Sequence, residues 1–238
     1  MNTRTPLVDV PVFAGQGTVA SGSPQVLQQA LHDASSSSGF LLLSACHEAF
    51  HVEFATLLPD EIKQININLA DFTTKNALLA VPQSRYSHNS VISGTRLFLI
   101  QALRYLAFAE SQPSVDPIAS FDNILKTNAE LGIGILSLSS GILPACVVAT
   151  SFSTLAFITR AVQAYRLAFW IGARTQMYRF NILKERGLPD DCALPWSCVF
   201  HGISKQRAEE AIAGILSQVR RSIVIVPIAF KQSITGES

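Results

Sequence analysis

A chain of 238 residues suits one large domain or two small ones. Hydrophobic residues make up 48% and charged residues 15%, with a mean hydropathy of +0.30, so the chain can bury a sizeable core and is not a disordered segment. A net charge of +1, with no basic block that interleaves aromatics, excludes electrostatic steering toward nucleic acid or an anionic membrane.

The first apolar segment, Val8 to Phe13, predicts a short strand rich in β-branched residues. It runs into Gly15-Gln16-Gly17. Glycines on both sides let the backbone turn and leave the Gln16 amide exposed at the carboxyl end of a strand, where α/β sites form; a plain strand-to-loop turn is the alternative. Ser23 is placed to cap a helix that starts at Pro24 and runs to about Asp33. The serine run from Ser35 to Gly39 reads as a surface loop, and Phe40 to Leu43 is strongly apolar. From Cys46 to Leu58 the apolar residues have helical spacing. His47 and His51 share a face of that helix with Glu48 beside them. A zinc site would need a third ligand, and none is placed, so the face is read as solvated.

Asn76 to Val81 leads into a polar loop, Pro82 to Asn89, and then a helix from Val91 to Ala109 that should pack beneath the next strand. A connector with two prolines and a short helix, Phe121 to Glu130, follow.

From Leu131 to Thr159 no charged residue occurs. The length would span a bilayer, but the many hydroxyls suit a buried strand-turn-helix unit better than a membrane helix. Ile133 to Leu136 is the strand, and a helix begins near Gly141. Between them Ser137-Leu138-Ser139-Ser140-Gly141 has the small-x-Ser-x-Gly spacing of a nucleophile elbow, a sharp strand-to-helix bend that presents a hydroxyl. Ser139 is at the bend; a serine-rich turn before a core helix is the alternative. Ser137 stands where such elbows carry glycine.

A helix from Thr154 to about Arg174 carries Arg160 and Arg166, the latter either turned to the site or salt-bridged. Tyr178 to Asp191 reads as a polar connector. Beyond Pro195 the pattern is strand (Trp196 to Phe200), cap (Ser204), amphipathic helix (Lys205 to Val219) and strand (Ser222 to Phe230), half of a ferredoxin-like unit. The N-terminus lacks the apolar core of a secretion signal. The cysteines Cys46, Cys146, Cys192 and Cys198 form no C-x-x-C pair, which fits free thiols in a reducing, cytoplasmic compartment.

Taken together, VFAGQGT (Val12 to Thr18), QALRYLA (Gln101 to Ala107), SLSSGILPA (Ser137 to Ala145), AVQAYRLAFWIG (Ala161 to Gly172) and PWSCVFHGISKQRAEEAI (Pro195 to Ile212) resemble the starter-unit acyltransferase domains of fungal non-reducing polyketide synthases. These are a branch of the malonyl-CoA:ACP transacylase fold. The resemblance implies an α/β class: a hydrolase-like α/β acyltransferase core over residues 8–190, and an incomplete ferredoxin-like small subdomain over 195–238. It implies ping-pong transfer of a starter acyl group from acyl-CoA, through an ester on Ser139, to the phosphopantetheine thiol of an acyl carrier protein. No cofactor, nucleic acid or membrane is implied.

By the same resemblance the amides of Gln16 and Ser140 form the oxyanion hole, and Gly15, Gly17, Leu138, Gly141 and Arg166 contact substrate. The family pattern at the elbow is Gly-x-Cys-x-Gly, so Ser139 replaces a cysteine and depends more heavily on a base. The family's base histidine would lie beyond residue 238. None of His32, His47, His51, His88 and His201 matches it, which leaves a non-catalytic, truncated remnant as the second expectation.

Overall fold

The computed structural model describes residues 10–15, 23–81, 83–86, 88–111 and 134–189, with 204, 206–207 and 209–210. The predicted elements at 121–130, 196–200 and 222–230 lie outside the described residues. The chain divides into two compact units, Met1–Cys192 and Ala193–Ser238. In the second, Ser204 Oγ accepts the Arg207 amide, as a capping serine should, and residues 206, 207, 209 and 210 are helical.

The described part of the first unit is mostly helical around a two-stranded parallel sheet. Strand β1 is Val12–Phe13. Helices α1 (Pro24–Asp33), α2 (Ser37–Ala55) and α3 (Pro59–Ile65) follow, then a 3-10 turn at Leu69–Phe72, the short α4 (Ala77–Ala80) and a 3-10 turn at Gln83–Arg85. Helix α5 (Ser90–Ser111) leads across residues 112–133 to β2 (Leu136–Ser137). A 3-10 turn, Ser139–Gly141, opens α6 (Ile142–Thr150), and α7 (Thr154–Glu185) closes the unit. The expected strands over 8–13 and 133–136 are thus two residues each where described.

Hydroxyl and amide caps set the helix starts. Ser23 Oγ accepts the Val26 amide at 3.3 Å with Pro24 at the first helical position, as predicted for α1. Asn89 Oδ1 accepts the Val91 and Ile92 amides, and Ser153 Oγ accepts the Ala156 amide. The serine run at 35–39 is turn only as far as Ser36, and from Ser37 it is helix. Ser36 Oγ accepts the Gly39 amide at 3.0 Å and caps α2, which continues through Phe40–Leu43 to Ala55. Serines look like linker by composition but serve equally as caps. The expected connector from Tyr178 is also corrected. Helix α7 runs to Glu185 because Met177, Arg179 and Leu183 are buried along it, and it ends where Gly187 takes φ +63° and the Leu188 amide bonds the Leu183 carbonyl.

The core gathers α2, α5 and α7. Phe50, Phe72, Phe157, Tyr165 and Phe169 are fully buried. Phe50 packs edge-on to Phe169 at 5.6 Å and lies 4.9 Å from Phe72. Burial pushes the Cys46 thiol and the Tyr165 hydroxyl far up, so both remain protonated. Helix α5 is long and apolar enough to cross a membrane, yet most of its apolar window is buried inside the protein.

Helices α5 and α7 come into close backbone contact at Gly172, where an added Cβ would lie 2.6 Å from Val91 Cα and 2.8 Å from the Ser90 carbonyl oxygen. Backbone cannot give way as a side chain can. Gly172→Ala is expected to cost about 2–3 kcal/mol, read as a lower midpoint in urea with an unchanged slope.

Candidate active site

Parallel pairing of β1 with β2 puts their carboxyl ends side by side. Val12 is in register with Leu136 and Phe13 with Ser137; the Leu136 amide donates to the Pro11 carbonyl and the Leu138 amide to the Phe13 carbonyl. Ala14–Gly15 and Leu138–Ser139 therefore leave the sheet together, at the edge where α/β proteins place their chemistry.

Ser139 adopts φ +55°, a left-handed conformation that a residue with a side chain occupies at a cost of roughly 1–2 kcal/mol. Its side chain is exposed. The strained bend lets the chain pass from an extended strand into a 3-10 turn within one residue and leaves the hydroxyl at the apex. Two glycines make room. An added Cβ on Gly15 would lie 2.7 Å from Ser139 Cβ and 3.3 Å from its Oγ, so the backbone after β1 rests directly on the serine. An added Cβ on Gly141 would lie 2.2 Å from the Phe13 carbonyl oxygen, so the start of α6 can press on β1 only with hydrogen there. Ser137, by contrast, is exposed, which explains why a side chain is accepted at the elbow's first position.

The loop after β1 is held from below. Gln101 Nε2, on α5, donates to the Ala14 carbonyl at 2.7 Å and fixes the peptide plane leading into Gly15, a constraint that helical periodicity gives no sign of. Ser140 N–H sits in the first turn, where a helix amide has no intrahelical acceptor; the Ser140 Oγ is buried and has no hydrogen-bond partner among the described residues. Leu138 and Ile142 are exposed beside it. Gln16 and Gly17 lie outside the described residues. A cavity of about 670 Å3 flanks β1 between α1 and α5, bounded by Val12, Ala14, Val26, Ile100 and Phe108, with Arg104 and Asp33 also on its wall. Ser139 does not line it.

The family model described as starter unit:ACP transacylase in aflatoxin biosynthesis matches residues 12–225. The chain belongs to this transacylase family. It is 47% identical over 213 residues to the orsellinic acid synthase ArmB of Armillaria ostoyae, covering 89% of this chain and 9% of that protein. The orsellinic acid synthase of Armillaria mellea is likewise 47% identical, over 87% of this chain and 9% of the relative. That of Beauveria bassiana (strain ARSEF 2860) is 28% identical over 91% of this chain and 10% of its own length. The chain thus spans about a tenth of the curated relatives it matches. No solved structure matches it significantly.

In this member of the starter unit:ACP transacylase family, Arg166 is engaged in an ion pair rather than left free. It is ion-paired with Glu53 of α2, and Trp170 Nε1 donates to the other oxygen of the same carboxylate at 2.6 Å. The Glu53 side chain is 6% exposed, that of Arg166 44%. The pair ties α2 to α7, and removing the acid leaves a half-buried guanidinium and an indole N–H without their acceptor. Glu53→Ala is expected to cost about 2–4 kcal/mol, while Glu53→Gln, which keeps an acceptor for Trp170, should cost less than half as much by denaturant melts. The partner lies 113 residues away in sequence, beyond the reach of any local pattern.

The histidine face is not solvated as expected. His47 and His51 are half-buried, and their Nε2 atoms lie 2.7 and 2.9 Å from the Phe72 carbonyl oxygen. Among the described residues no three His, Cys, Asp or Glu side chains converge as a metal cluster.

Proposed function

We propose that this chain carries out starter-unit transfer from acyl-CoA to an acyl carrier protein by a ping-pong route through Ser139. The observation that carries the proposal is the left-handed Ser139 at the β2–α6 bend with Gly15 packed against it, in a chain of the starter unit:ACP transacylase family. In the first half-reaction Ser139 Oγ attacks the thioester carbonyl, its proton passes to a general base, and the CoA thiolate leaves and takes up a proton. In the second, the carrier's phosphopantetheine thiol attacks the ester, gives up its proton, and Ser139 is regenerated. The amides of Gln16 and Ser140 stabilise the oxyanion in both steps, an effect worth about 3–4 kcal/mol for one good donor. Gly15, Gly17, Leu138 and Gly141 form the walls around the acyl carbonyl. No bound cofactor enters this chemistry.

The acyl group is uncharged in this reading. Arg166 is neutralised by Glu53, so it is not free to pair with a carboxylate on the acyl chain. The relatives, orsellinic acid synthases by name, support a place in polyketide assembly. The test is incubation with acetyl-CoA or malonyl-CoA and a holo or apo carrier protein. Acetyl transfer to the holo carrier, at least tenfold faster than malonyl transfer and absent with the apo carrier, is the expected result. Malonyl transfer as fast as acetyl would overturn the uncharged-acyl reading, and hydrolysis without transfer would overturn the carrier.

A further inference from the structure

Helix α2 carries His47-Glu48-Ala49-Phe50-His51, a spacing that sets both imidazoles on one face, one turn apart. Their rings are 4.5 Å apart and nearly perpendicular, and their Nε2 atoms are 3.1 Å apart. The Phe72 carbonyl, at the end of the Leu69–Phe72 turn, completes a triangle with sides of 2.7, 2.9 and 3.1 Å. Three lone-pair-bearing atoms this close repel unless something positive lies between them. Two N–H hydrogens pointing at one oxygen is one solution. A metal ion in place of both hydrogens is the other: ligands of an ion held at about 2.0–2.2 Å stand roughly 2.8–3.1 Å apart at right angles, close to these spacings, and roughly 3.3–3.6 Å apart in a tetrahedron, for which the triangle would widen by about half an ångström.

We propose that His47 Nε2, His51 Nε2 and the Phe72 carbonyl oxygen bind a divalent transition-metal ion of the zinc class, with water completing the shell. Two neutral imidazoles and one carbonyl, without a carboxylate, suit Zn²⁺, Co²⁺, Ni²⁺ or Cu²⁺ rather than Mg²⁺ or Ca²⁺. Both histidines are half-buried rather than enclosed in the core. With three protein ligands and no thiolate or carboxylate among them, the affinity falls below that of a closed structural zinc site. Glu48 is exposed and is not needed as a ligand. The ion would staple α2 to the turn that delivers Phe72 to the core, reinforcing the Phe50–Phe72 contact. This is independent of the acyl-transfer reaction.

The test is titration of chelator-treated protein with ZnSO4 by calorimetry and with CoCl2 by visible absorption. One ion per chain is expected, with a Kd on the order of 1–100 μM, and zinc at about a hundred times Kd should raise Tm by roughly 5–10 °C. His47→Ala and His51→Ala should each weaken binding at least tenfold and abolish the Tm shift, while Glu48→Ala should leave both intact. His51→Cys tests the same position without removing a ligand: it should keep cobalt bound and add a thiolate-to-cobalt charge-transfer band. No binding by the unsubstituted chain, or binding and Tm shifts unchanged in the folded alanine variants, would show that the rings merely donate to the carbonyl.

Discussion

Replacing Ser139 with alanine is expected to abolish acyl-enzyme formation and to slow transfer by about 10³-fold or more, since the covalent route is lost while binding remains. Stability should hardly change, because alanine keeps the Cβ and the hydroxyl of Ser139 faces out of the core. Ser139→Gly separates the two roles. Glycine takes φ +55° without the steric cost, so the variant should be as inactive as alanine yet more stable by up to about 1 kcal/mol, after the entropy glycine adds to the unfolded chain. Backbone strain kept at a reactive residue is a stability cost that function retains. Ser139→Cys should restore an acyl adduct, now a thioester, because a thiol ionises more readily and depends less on its base.

The second large effect is at Gly141. A methyl group there would sit 2.2 Å from the Phe13 carbonyl oxygen and 3.0 Å from that of Ala14, both main-chain atoms of β1 and its exit. Helix α6 must then move off β1, which pulls Ser139 away from Gly15. Gly141→Ala is expected to lower stability by about 2–4 kcal/mol and to reduce acyl transfer at least a hundredfold even where the protein is still folded. Circular dichroism melts measure the first quantity, and transfer assays below the melt measure the second. Retention of full activity with only lowered stability would show that the elbow tolerates the shift and that the contact is structural alone.

The bend at Ser139 was legible in the sequence because its constraints are local. A strand, a small residue on each side of a serine and an apolar helix occupy adjacent positions, and only a sharp bend joins them. The cap at Ser23 and the extent of α5 were readable for the same reason. Composition misled where one residue type serves two ends: the serines before Phe40 looked like a surface loop, but Ser36 is the cap and Ser37 and Ser38 the first turn of α2. The end of α7 was hidden by polar residues, Gln176 and Arg179, that are nevertheless buried; Gln176 Oε1 accepts the Ser90 amide and so ties α7 to the start of α5. The Glu53 partner of Arg166, the Gln101 bond to Ala14 and the shared carbonyl at Phe72 are all long-range contacts. Each joins elements whose order in space no single stretch of sequence specifies. The sheet is also shorter than the apolar runs suggested, because only its pairing at 12–13 with 136–137 is present among the described residues.

The most direct measurement is peptide mapping of the chain after incubation with acyl-CoA and rapid acid quench. The account predicts one added acyl group, alkali-labile as an oxygen ester, on the peptide that contains Ser139, and its discharge when holo carrier protein is added. An acyl group found only on another residue, or transfer to the carrier that proceeds undiminished in Ser139→Ala, would contradict it.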